Sequence, residues 1–229
     1  MLNVVLDLVL PQVCAGCGAK GARYCGGCLT GLTAAPARRL PEPLPAGLPD
    51  CWSAAGYEGA VRRTVVAYKE RGAVALAGVL AQALAFTVVT AIGSGAFGAA
   101  AAGGPFAVVP VPSGRRSLRA RGHDPVGRLA VLVVRQLRAY GLRAELWAAL
   151  AQTRRVADQA GLSSAQRAAN LAGSLQVPGA AKSPPAPRAL LLDDIVTTGA
   201  TLVEAARALR SAGVTAPLAV TVAATRRRS

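Results

Sequence analysis

The residues with the clearest chemical potential are two adjacent acids and the turn that follows them. Within residues 189–201, four apolar residues precede Asp193 and Asp194. The turn that follows consists of Thr197, Thr198, Gly199, Ala200 and Thr201. Carboxylates at the end of a parallel strand can accept hydrogen bonds from a ribose diol, and the backbone amides of a turn opening a helix suit a phosphate dianion. The segment predicts a pocket for a 5-phosphorylated ribose, although an acid-rich strand end before a helix shares part of the pattern.

This segment resembles the phosphoribosyl-pyrophosphate-binding motif of type I phosphoribosyltransferases. A predicted strand over 108–112 leads into Ser113, Gly114, Arg115 and Arg116, which resemble the pyrophosphate loop of that fold. The resemblance implies that the amides and arginines of this loop hold a diphosphate. Mg²⁺ is then expected between the diphosphate and the ribose hydroxyls, because it prefers substrate phosphates and water to an all-protein cage. The arginines fit a solvated basic surface equally well.

Four cysteines near the start have the spacing of a metal site. Cys14 and Cys17 form one Cys-x-x-Cys pair, and Cys25 and Cys28 form a second one seven residues later. Four thiolates satisfy the tetrahedral coordination of structural zinc, and no open position remains for catalysis. A redox pair is the alternative. Cys51 stands apart and is predicted to be a buried strand residue.

Composition and charge narrow the class of protein. The 229 residues are 52% hydrophobic, which is enough for a large core, and the formal net charge is +15. Such a charge attracts polyanions, including nucleic acids and phosphorylated metabolites. Arginine, alanine and glycine richness is also typical of proteins from GC-rich genomes. No secretory signal is apparent, and the apolar run 74–92 is expected to be a buried helix and not a membrane span.

Strand-like and helix-like runs alternate along the chain. Residues 1–35 are predicted to form a zinc-finger region, 36–49 a stiff proline-rich linker, and 50–229 the main domain. The predicted strands are 51–57, 106–111, 188–192 and 217–223. The predicted helices are 59–71, 73–92, 125–140, 163–171 and 200–212. This alternation predicts an α/β fold with a mostly parallel sheet, and residues 178–187 are expected to form an exposed insertion.

Further phrases resemble the ComF family, the competence protein F-like phosphoribosyltransferases, over nearly the whole chain. They are the four-cysteine start, Tyr57-Glu58-Gly59 with Arg62, Ala67-Tyr68-Lys69-Glu70-Arg71-Gly72, Val109-Pro110-Val111-Pro112 with Arg121-Gly122, and Asp158-Gln159 with Gly161-Leu162-Ser163, Arg167 and Asn170. The resemblance implies that Lys69, Arg167 and Asn170 reach the substrate loop, although an exposed helix end or a helix clamp also explains them. After Gly122 the family usually has an aromatic residue and Asn-Gln, whereas this chain has His123-Asp124-Pro125.

The ComF resemblance implies a cytoplasmic protein with an N-terminal zinc finger on a phosphoribosyltransferase domain of type I fold. It implies that Asp193 and Asp194 are the catalytic acids, and that the turn 197–201, Ser113, Gly114, Arg115 and Lys69 bind phosphoribosyl pyrophosphate with Mg²⁺. Family members are linked to DNA uptake in natural transformation, where single-stranded DNA meets a helicase-like partner. The alternatives are a phosphoribosyltransferase of nucleobase salvage and a non-catalytic adaptor that binds nucleic acid or a helicase. Whether transfer is catalysed stays open at this point.

Overall fold

A computed structural model of the protein describes residues 12–97, 104–114, 118, 122–154, 164–181 and 183–225. The helices of these residues are α1 (Gly26–Thr33), α2 (Gly59–Glu70), α3 (Ala77–Gly93), α4 (Pro125–Ala139), α5 (Ser164–Leu171) and α6 (Ala200–Ser211). The strands are β1 (Ala37–Arg38), β2 (Asp50–Gly56), β3 (Phe106–Pro110), β4 (Ala144–Leu146), β5 (Ala151–Gln152), β6 (Leu175–Gln176), β7 (Arg188–Val196) and β8 (Thr215–Ala224). Short 3₁₀ turns occupy Val74–Leu76 and Gly179–Ala181. Arg115, Arg116 and residues 155–163 lie outside the described residues.

Six strands form one sheet in the order β1-β2-β8-β7-β3-β4. The five strands from β2 to β4 run parallel, and only the short edge strand β1 is antiparallel to its neighbour. Strands β5 and β6 pair separately as a small antiparallel ribbon. The prediction of an α/β fold with a mostly parallel sheet is therefore confirmed.

The sheet separates two apolar layers. Alternate residues of β7 point to opposite faces, so that Leu190 and Leu192 join the core beneath helices α1 to α4, while Leu191 joins the core beneath α6 and the β5–β6 ribbon. The central strands are buried on both faces, which explains their continuous apolar sequences. The sheet is consequently a rigid platform whose strand ends can carry a site.

The most apolar segment of the chain packs inside one of these layers. The stretch Val74–Gly93 is long and apolar enough to cross a membrane, with a mean hydropathy of 2.0, and 56% of it is buried. Leu80, Leu84 and Val88 of α3 are fully buried in the core that also contains the buried face of α4. Packing against the sheet and α4 accounts for the hydropathy of this helix.

The proline-rich segment 36–49 also packs on the main domain. Its residues Ala37 and Arg38 pair with Ser53 and Trp52 as strand β1. Pro41 and Pro49 are buried, and Leu48 packs against the apolar layer beneath α6. The segment therefore extends the sheet at one edge and covers part of the second layer.

Candidate functional site

The sheet has a topological switch point between β3 and β7. From β3 the chain continues to β4, which pairs with β3 on the side away from β7. From β7 the chain continues through α6 to β8, which pairs with β7 on the side away from β3. In open parallel sheets, ligands bind in the crevice formed where neighbouring connections diverge in this way. The acid pair lies at that crevice, at the carboxyl end of β7.

Strand β7 extends past its neighbour on one side only. The last pair with β3 joins Leu192 to Pro110, and the N–H of Val111 then donates to the carbonyl of Leu192 at 2.9 Å. On its other side β7 continues to pair with β8, through Asp193 opposite Thr221 and onward to Val196. The sequence predicted a strand ending at Leu192, because aspartate is uncommon in strands. Pairing with the longer β8 extends β7 to Val196, whereas its ladder with β3 ends at Leu192.

The two carboxylates face different layers of the molecule. Strand alternation places Asp194 on the side of Leu192, towards α2, and Asp193 on the side of Leu191, towards α6. Asp193 also accepts a hydrogen bond from the backbone N–H of Asp194 at 2.8 Å. The two acids therefore flank the end of one strand and contact different elements.

Lys69 reaches the acid pair from α2. Its Nζ lies 2.6 Å from Oδ2 of Asp194, whose side chain is only 5% exposed, while Lys69 is 28% exposed. Lysine neutralises a carboxylate that would otherwise be costly to bury. The resemblance had predicted Lys69 as a site residue, and the structure brings it into direct contact with the acids.

The electrostatics of the pair favour a proton on Asp193. Burial is the largest cause that raises the pKa of Asp193 above its ordinary value, and the neighbouring Asp194 raises it further. Lys69 opposes both effects. A cation or a hydrogen-bond donor entering the crevice would relieve the same repulsion, which is the condition for binding a hydroxyl-bearing ligand.

The turn 197–201 leads into the N-terminus of α6 beside the acids. Gly199 has a φ of +75° and immediately precedes α6, which has no acidic residue in its first turn. Thr197 is exposed, Thr198 and Thr201 are half-buried, and Ala200 is buried. The first amides of α6 have no partner within the helix, and the positive end of its dipole attracts an anion.

A feature that the sequence analysis did not predict lies against this turn. A Cβ added to Gly199 would lie 2.9 Å from Cδ1 of Leu48 and 3.3 Å from Cγ of both Pro41 and Pro45. The proline-rich segment thus packs directly on the glycine of the turn, which leaves no room for a side chain there. The density of prolines signals a rigid segment, but nothing in its sequence indicates which surface it covers.

The loop after β3 forms the other wall of the crevice. Ser113 and Gly114 are half-buried and follow Val111, whose hydrogen bond to Leu192 holds the start of the loop beside the acid pair. The carbonyl of Gly114 accepts a hydrogen bond from the N–H of Leu118 at 2.9 Å. Arg115, the remaining predicted member of the loop, lies outside the described residues.

Of the two residues predicted on α5, Asn170 is held through its backbone carbonyl. The backbone carbonyl of Asn170 accepts a hydrogen bond from Arg154 at 2.9 Å, and Arg167 is half-buried on the same helix. Arg154 also donates to the carbonyl of Ala172 at 3.0 Å. These backbone contacts connect α5 to the segment that follows β5. The reach of the Arg167 and Asn170 side chains to the substrate loop stays a prediction.

Helix α6 is attached to the β5–β6 ribbon by a charge pair between the buried Glu204 and the more exposed Arg207. Glu204 accepts a hydrogen bond from the N–H of Leu175 at 3.0 Å, and Arg207 donates to the carbonyl of Leu175 at 2.9 Å. Arg207 also pairs with Glu204, at 2.7 Å. Although burial opposes it, this pairing lowers the pKa of Glu204. The contact joins the ribbon to the helix that opens at the candidate phosphate turn.

The four cysteines form a compact cluster. The Sγ atoms of Cys14, Cys17, Cys25 and Cys28 all lie within 4.8 Å of one another. Four sulfurs bound tetrahedrally, each at about 2.3 Å from a zinc ion, lie about 3.8 Å from one another. The Sγ atoms of Cys17 and Cys25 are 3.6 Å apart. The cluster therefore fits a metal ion such as zinc. Cys51 is fully buried in β2, as predicted, and takes no part in it.

The surroundings of the cluster favour a thiolate at Cys14 and oppose one at Cys28. Burial opposes ionisation of Cys14, but hydrogen bonds from the backbone at Cys17 and Cys25 outweigh it and lower the pKa of Cys14 to about 6. Burial raises the pKa of Cys28, as do the neighbouring cysteines. A cation would stabilise the thiolate form of all four ligands together.

Neither protein-family models nor curated proteins match this chain.

Proposed function

We propose that the crevice between β3 and β7 binds phosphoribosyl pyrophosphate and that the protein is a ComF-like member of the type I phosphoribosyltransferases. The observation that supports this most directly is the contact between Lys69 and Asp194 beside a glycine turn that opens α6. The three groups at this switch point match the three parts of the ligand. The acids suit the ribose hydroxyls, the lysine suits the diphosphate, and the helix N-terminus suits the 5-phosphate.

Each group has a role in the proposed complex. Amides of the turn 197–201 hold the 5-phosphate, and those of Ser113 and Gly114 hold the diphosphate. Asp193 and Asp194 accept hydrogen bonds from the ribose hydroxyls, and Lys69, beside Asp194, offsets their negative charge towards the incoming diphosphate. Mg²⁺, when bound with the substrate, neutralises charge on the leaving diphosphate.

The proposed reaction is phosphoribosyl transfer to an acceptor nitrogen. The nitrogen attacks the anomeric carbon of the ribose, the bond from that carbon to the diphosphate oxygen breaks, and the diphosphate leaves with the electron pair. The acceptor then loses its proton to solvent. Positive charge develops on the ribose during this step, and the Asp194 carboxylate stabilises it more than it stabilises the ground state.

Isothermal titration calorimetry tests the binding step. The protein is titrated with phosphoribosyl pyrophosphate in the presence of Mg²⁺, and Asp194→Asn is compared with Glu145→Gln, which changes an exposed acid on β4. We expect binding to the wild type and to Glu145→Gln, and a loss of at least about tenfold in Asp194→Asn, because a hydrogen bond to a charged group contributes about 1.5–3 kcal/mol. Absence of heat in the wild type, or equal affinity in Asp194→Asn, would refute the proposal.

The four-cysteine cluster is proposed to be a structural zinc finger. Its compact Sγ geometry and its four filled positions support a closed site. Metal analysis of the purified protein is expected to find one zinc per chain, and Cys25→Ser is expected to lose it. A full complement of zinc in that variant would exclude this site.

A nucleic-acid role is the second candidate, and the net charge of +15 favours it. We propose that the protein acts in the cytoplasm in DNA uptake, with single-stranded DNA and a helicase-like partner. Aromatic residues make up only 4% of the chain, so binding is expected to be electrostatic and steeply salt-dependent. Fluorescence anisotropy with a labelled oligonucleotide tests this, and absence of binding at low salt contradicts it.

Transfer of the phosphoribosyl group to a nucleobase would distinguish nucleobase salvage from this role. Diphosphate release is measured with each nucleobase in turn in the presence of phosphoribosyl pyrophosphate and Mg²⁺. Release with one nucleobase, abolished in Asp194→Asn, would favour salvage. Binding without release across the set would favour a non-catalytic adaptor.

A further inference from the structure

Helix α2 contacts the cysteine cluster near one end and the acid pair at the other. Its first half carries Ala60, Arg63 and Thr64, which lie on one face at helical spacing, and Lys69 stands in its last turn. Arg63 and Lys69 are six residues apart, or about 9 Å along an α-helix. A single short helix therefore joins two sites that the sequence separates by more than 160 residues.

At the cluster end, the first cysteine knuckle is attached directly to α2. Nε of Arg63 donates to the carbonyl of Gly16 at 2.5 Å. A Cβ on Gly16 would lie 2.7 Å from Sγ of Cys28 and 3.4 Å from Cβ of Ala60, so this backbone is packed between a metal ligand and the helix. The conformation of the knuckle consequently determines where Arg63 is held.

A second contact joins the other half of the cluster to the core that includes residues of the same helix. The hydroxyl of Tyr24 donates to the carbonyl of Cys28 at 3.3 Å. The ring of Tyr24 packs against the apolar core to which α2 contributes Val61 and Val65. The first cysteine pair is thus connected to α2 by the Arg63 hydrogen bond, and the second pair is connected to the same core through Tyr24.

At the site end, the position of α2 decides whether Lys69 can reach Asp194. The Nζ–Oδ2 distance is 2.6 Å, so a displacement of the helix by a small fraction of a turn would open the pair. Without the ammonium group, the charge of the Asp194 carboxylate would be unbalanced and would repel an incoming phosphate.

From these contacts we propose that the metal-loaded cysteine cluster positions Lys69 on the acid pair through α2, with Arg63 as the positioning residue that transmits the effect. Metal occupancy at the N-terminal cluster thereby controls the charge of the crevice. The part of the inference that concerns ligand affinity rests on the proposed phosphoribosyl-pyrophosphate site, whereas the part that concerns Lys69 does not.

A competing contact could fix α2 without the cluster. The hydroxyl of Tyr68, adjacent to Lys69 and fully buried, donates to the carbonyl of Pro125 at 2.8 Å. If this contact alone held the last turn, changes at Arg63 would leave Lys69 in place. The two possibilities differ in one observable, the environment of the Lys69 side chain.

Nuclear magnetic resonance of lysine side chains measures that environment directly. The chain contains three lysines, Lys20, Lys69 and Lys182, so ¹³Cε labelling yields three signals. The signal that disappears in Lys69→Arg is that of Lys69. The metal-loaded wild type is compared with Arg63→Ala, with the conservative Arg63→Lys, and with Arg135→Ala, which removes an exposed arginine from α4. Metal content and circular dichroism are recorded for each protein.

We expect the Lys69 signal of Arg63→Ala to move towards that of a solvated lysine while the protein stays folded and metal-loaded. Arg63→Lys should restore most of the difference, and Arg135→Ala should leave the signal unchanged. Removing the metal from the wild type with a chelator should move the signal in the same direction. An unmoved Lys69 signal in Arg63→Ala, or an equal shift in Arg135→Ala, would overturn the proposal.

Calorimetry then separates this inference from the proposed function. Arg63→Ala should bind phosphoribosyl pyrophosphate with Mg²⁺ at least about five-fold more weakly than the wild type, the lower end of typical coupling between sites. Unchanged affinity in Arg63→Ala would overturn the control of ligand binding. If the wild type binds no phosphoribosyl pyrophosphate, the proposed function fails, and the lysine signals still decide whether the cluster positions Lys69.

Discussion

Replacing Lys69 by methionine tests the central contact of the site. Methionine retains the length and most of the apolar stem of lysine but leaves Asp194, only 5% exposed, without its cation. Breaking a buried ion pair by removing one partner costs about 3–5 kcal/mol. Lys69 is 28% exposed, and solvent screening weakens the pair. We therefore expect Lys69→Met to lower the free energy of unfolding by about 2–3 kcal/mol.

A double-mutant cycle isolates the pair from other effects of the substitution. Asp194→Asn removes the buried charge, so adding Lys69→Met to it should cost little more. The expected coupling energy is at least about 1 kcal/mol. The control Arg135→Met changes an exposed residue of α4 and should stay within about 0.5 kcal/mol of the wild type.

Equilibrium urea unfolding at pH 7, followed by far-ultraviolet circular dichroism on the metal-loaded protein, measures these free energies. The dependence of the unfolding free energy on urea concentration should be the same in all variants, so that midpoints report stability. The reasoning is refuted if Lys69→Met lies within about 0.5 kcal/mol of the wild type, or if the two substitutions are additive.

Three further substitutions test other parts of the site. Gly199→Ala should lower the thermal midpoint and weaken phosphoribosyl-pyrophosphate binding, because alanine is strained at a φ of +75° and its Cβ would lie 2.9 Å from Cδ1 of Leu48. Adding Leu48→Ala should recover part of the stability, and no recovery would exclude the steric cause. Asp193→Asn should flatten the pH dependence of stability. The pKa of Asp193 is raised in the folded state, so its protonated form stabilises the fold at low pH. That contribution is lost as pH rises from the unfolded pKa of about 3.9 through the folded pKa. Urea midpoints measured across this range should therefore fall less in the variant than in the wild type, and parallel curves would contradict the assignment. Arg207→Ala should destabilise the protein by about 1–3 kcal/mol, because it leaves the buried Glu204 without its cation, while solvent screening at the 45% exposed Arg207 weakens the pair. Hydrogen exchange at Leu175 should accelerate, and an unchanged exchange rate would show that the pair does not hold the ribbon.

Local patterns in the sequence were sufficient for several parts of the structure. Two Cys-x-x-Cys pairs bring four sulfurs together because short knuckles restrict where each thiol can lie, and the structure confirms the cluster. The alternation of apolar strands with amphipathic helices predicted the mostly parallel sheet, since strands buried on both faces must be apolar throughout. The turn at Gly199 was recognisable because its residue types have few other uses before a helix.

The end of β7 shows where local reasoning stops. From sequence, two aspartates end a strand because they are rarely found inside one. In the structure β7 continues to Val196, since its partner β8 extends to Ala224 and supplies hydrogen bonds. Strand length is a property of the pair, and the sequence of one strand does not contain it.

Residue types and spacing identify which residues could do chemistry: the acids, the glycine turn and the four cysteines, each set recognisable within fifteen residues. The contacts of these residues follow from the tertiary structure. Lys69 meets Asp194 across 125 residues, and Leu48 meets Gly199 across 151. The physical reason is that such contacts depend on how layers pack on the sheet, a cooperative result of burying the whole apolar surface, whereas turns and knuckles depend only on the backbone freedom of neighbouring residues.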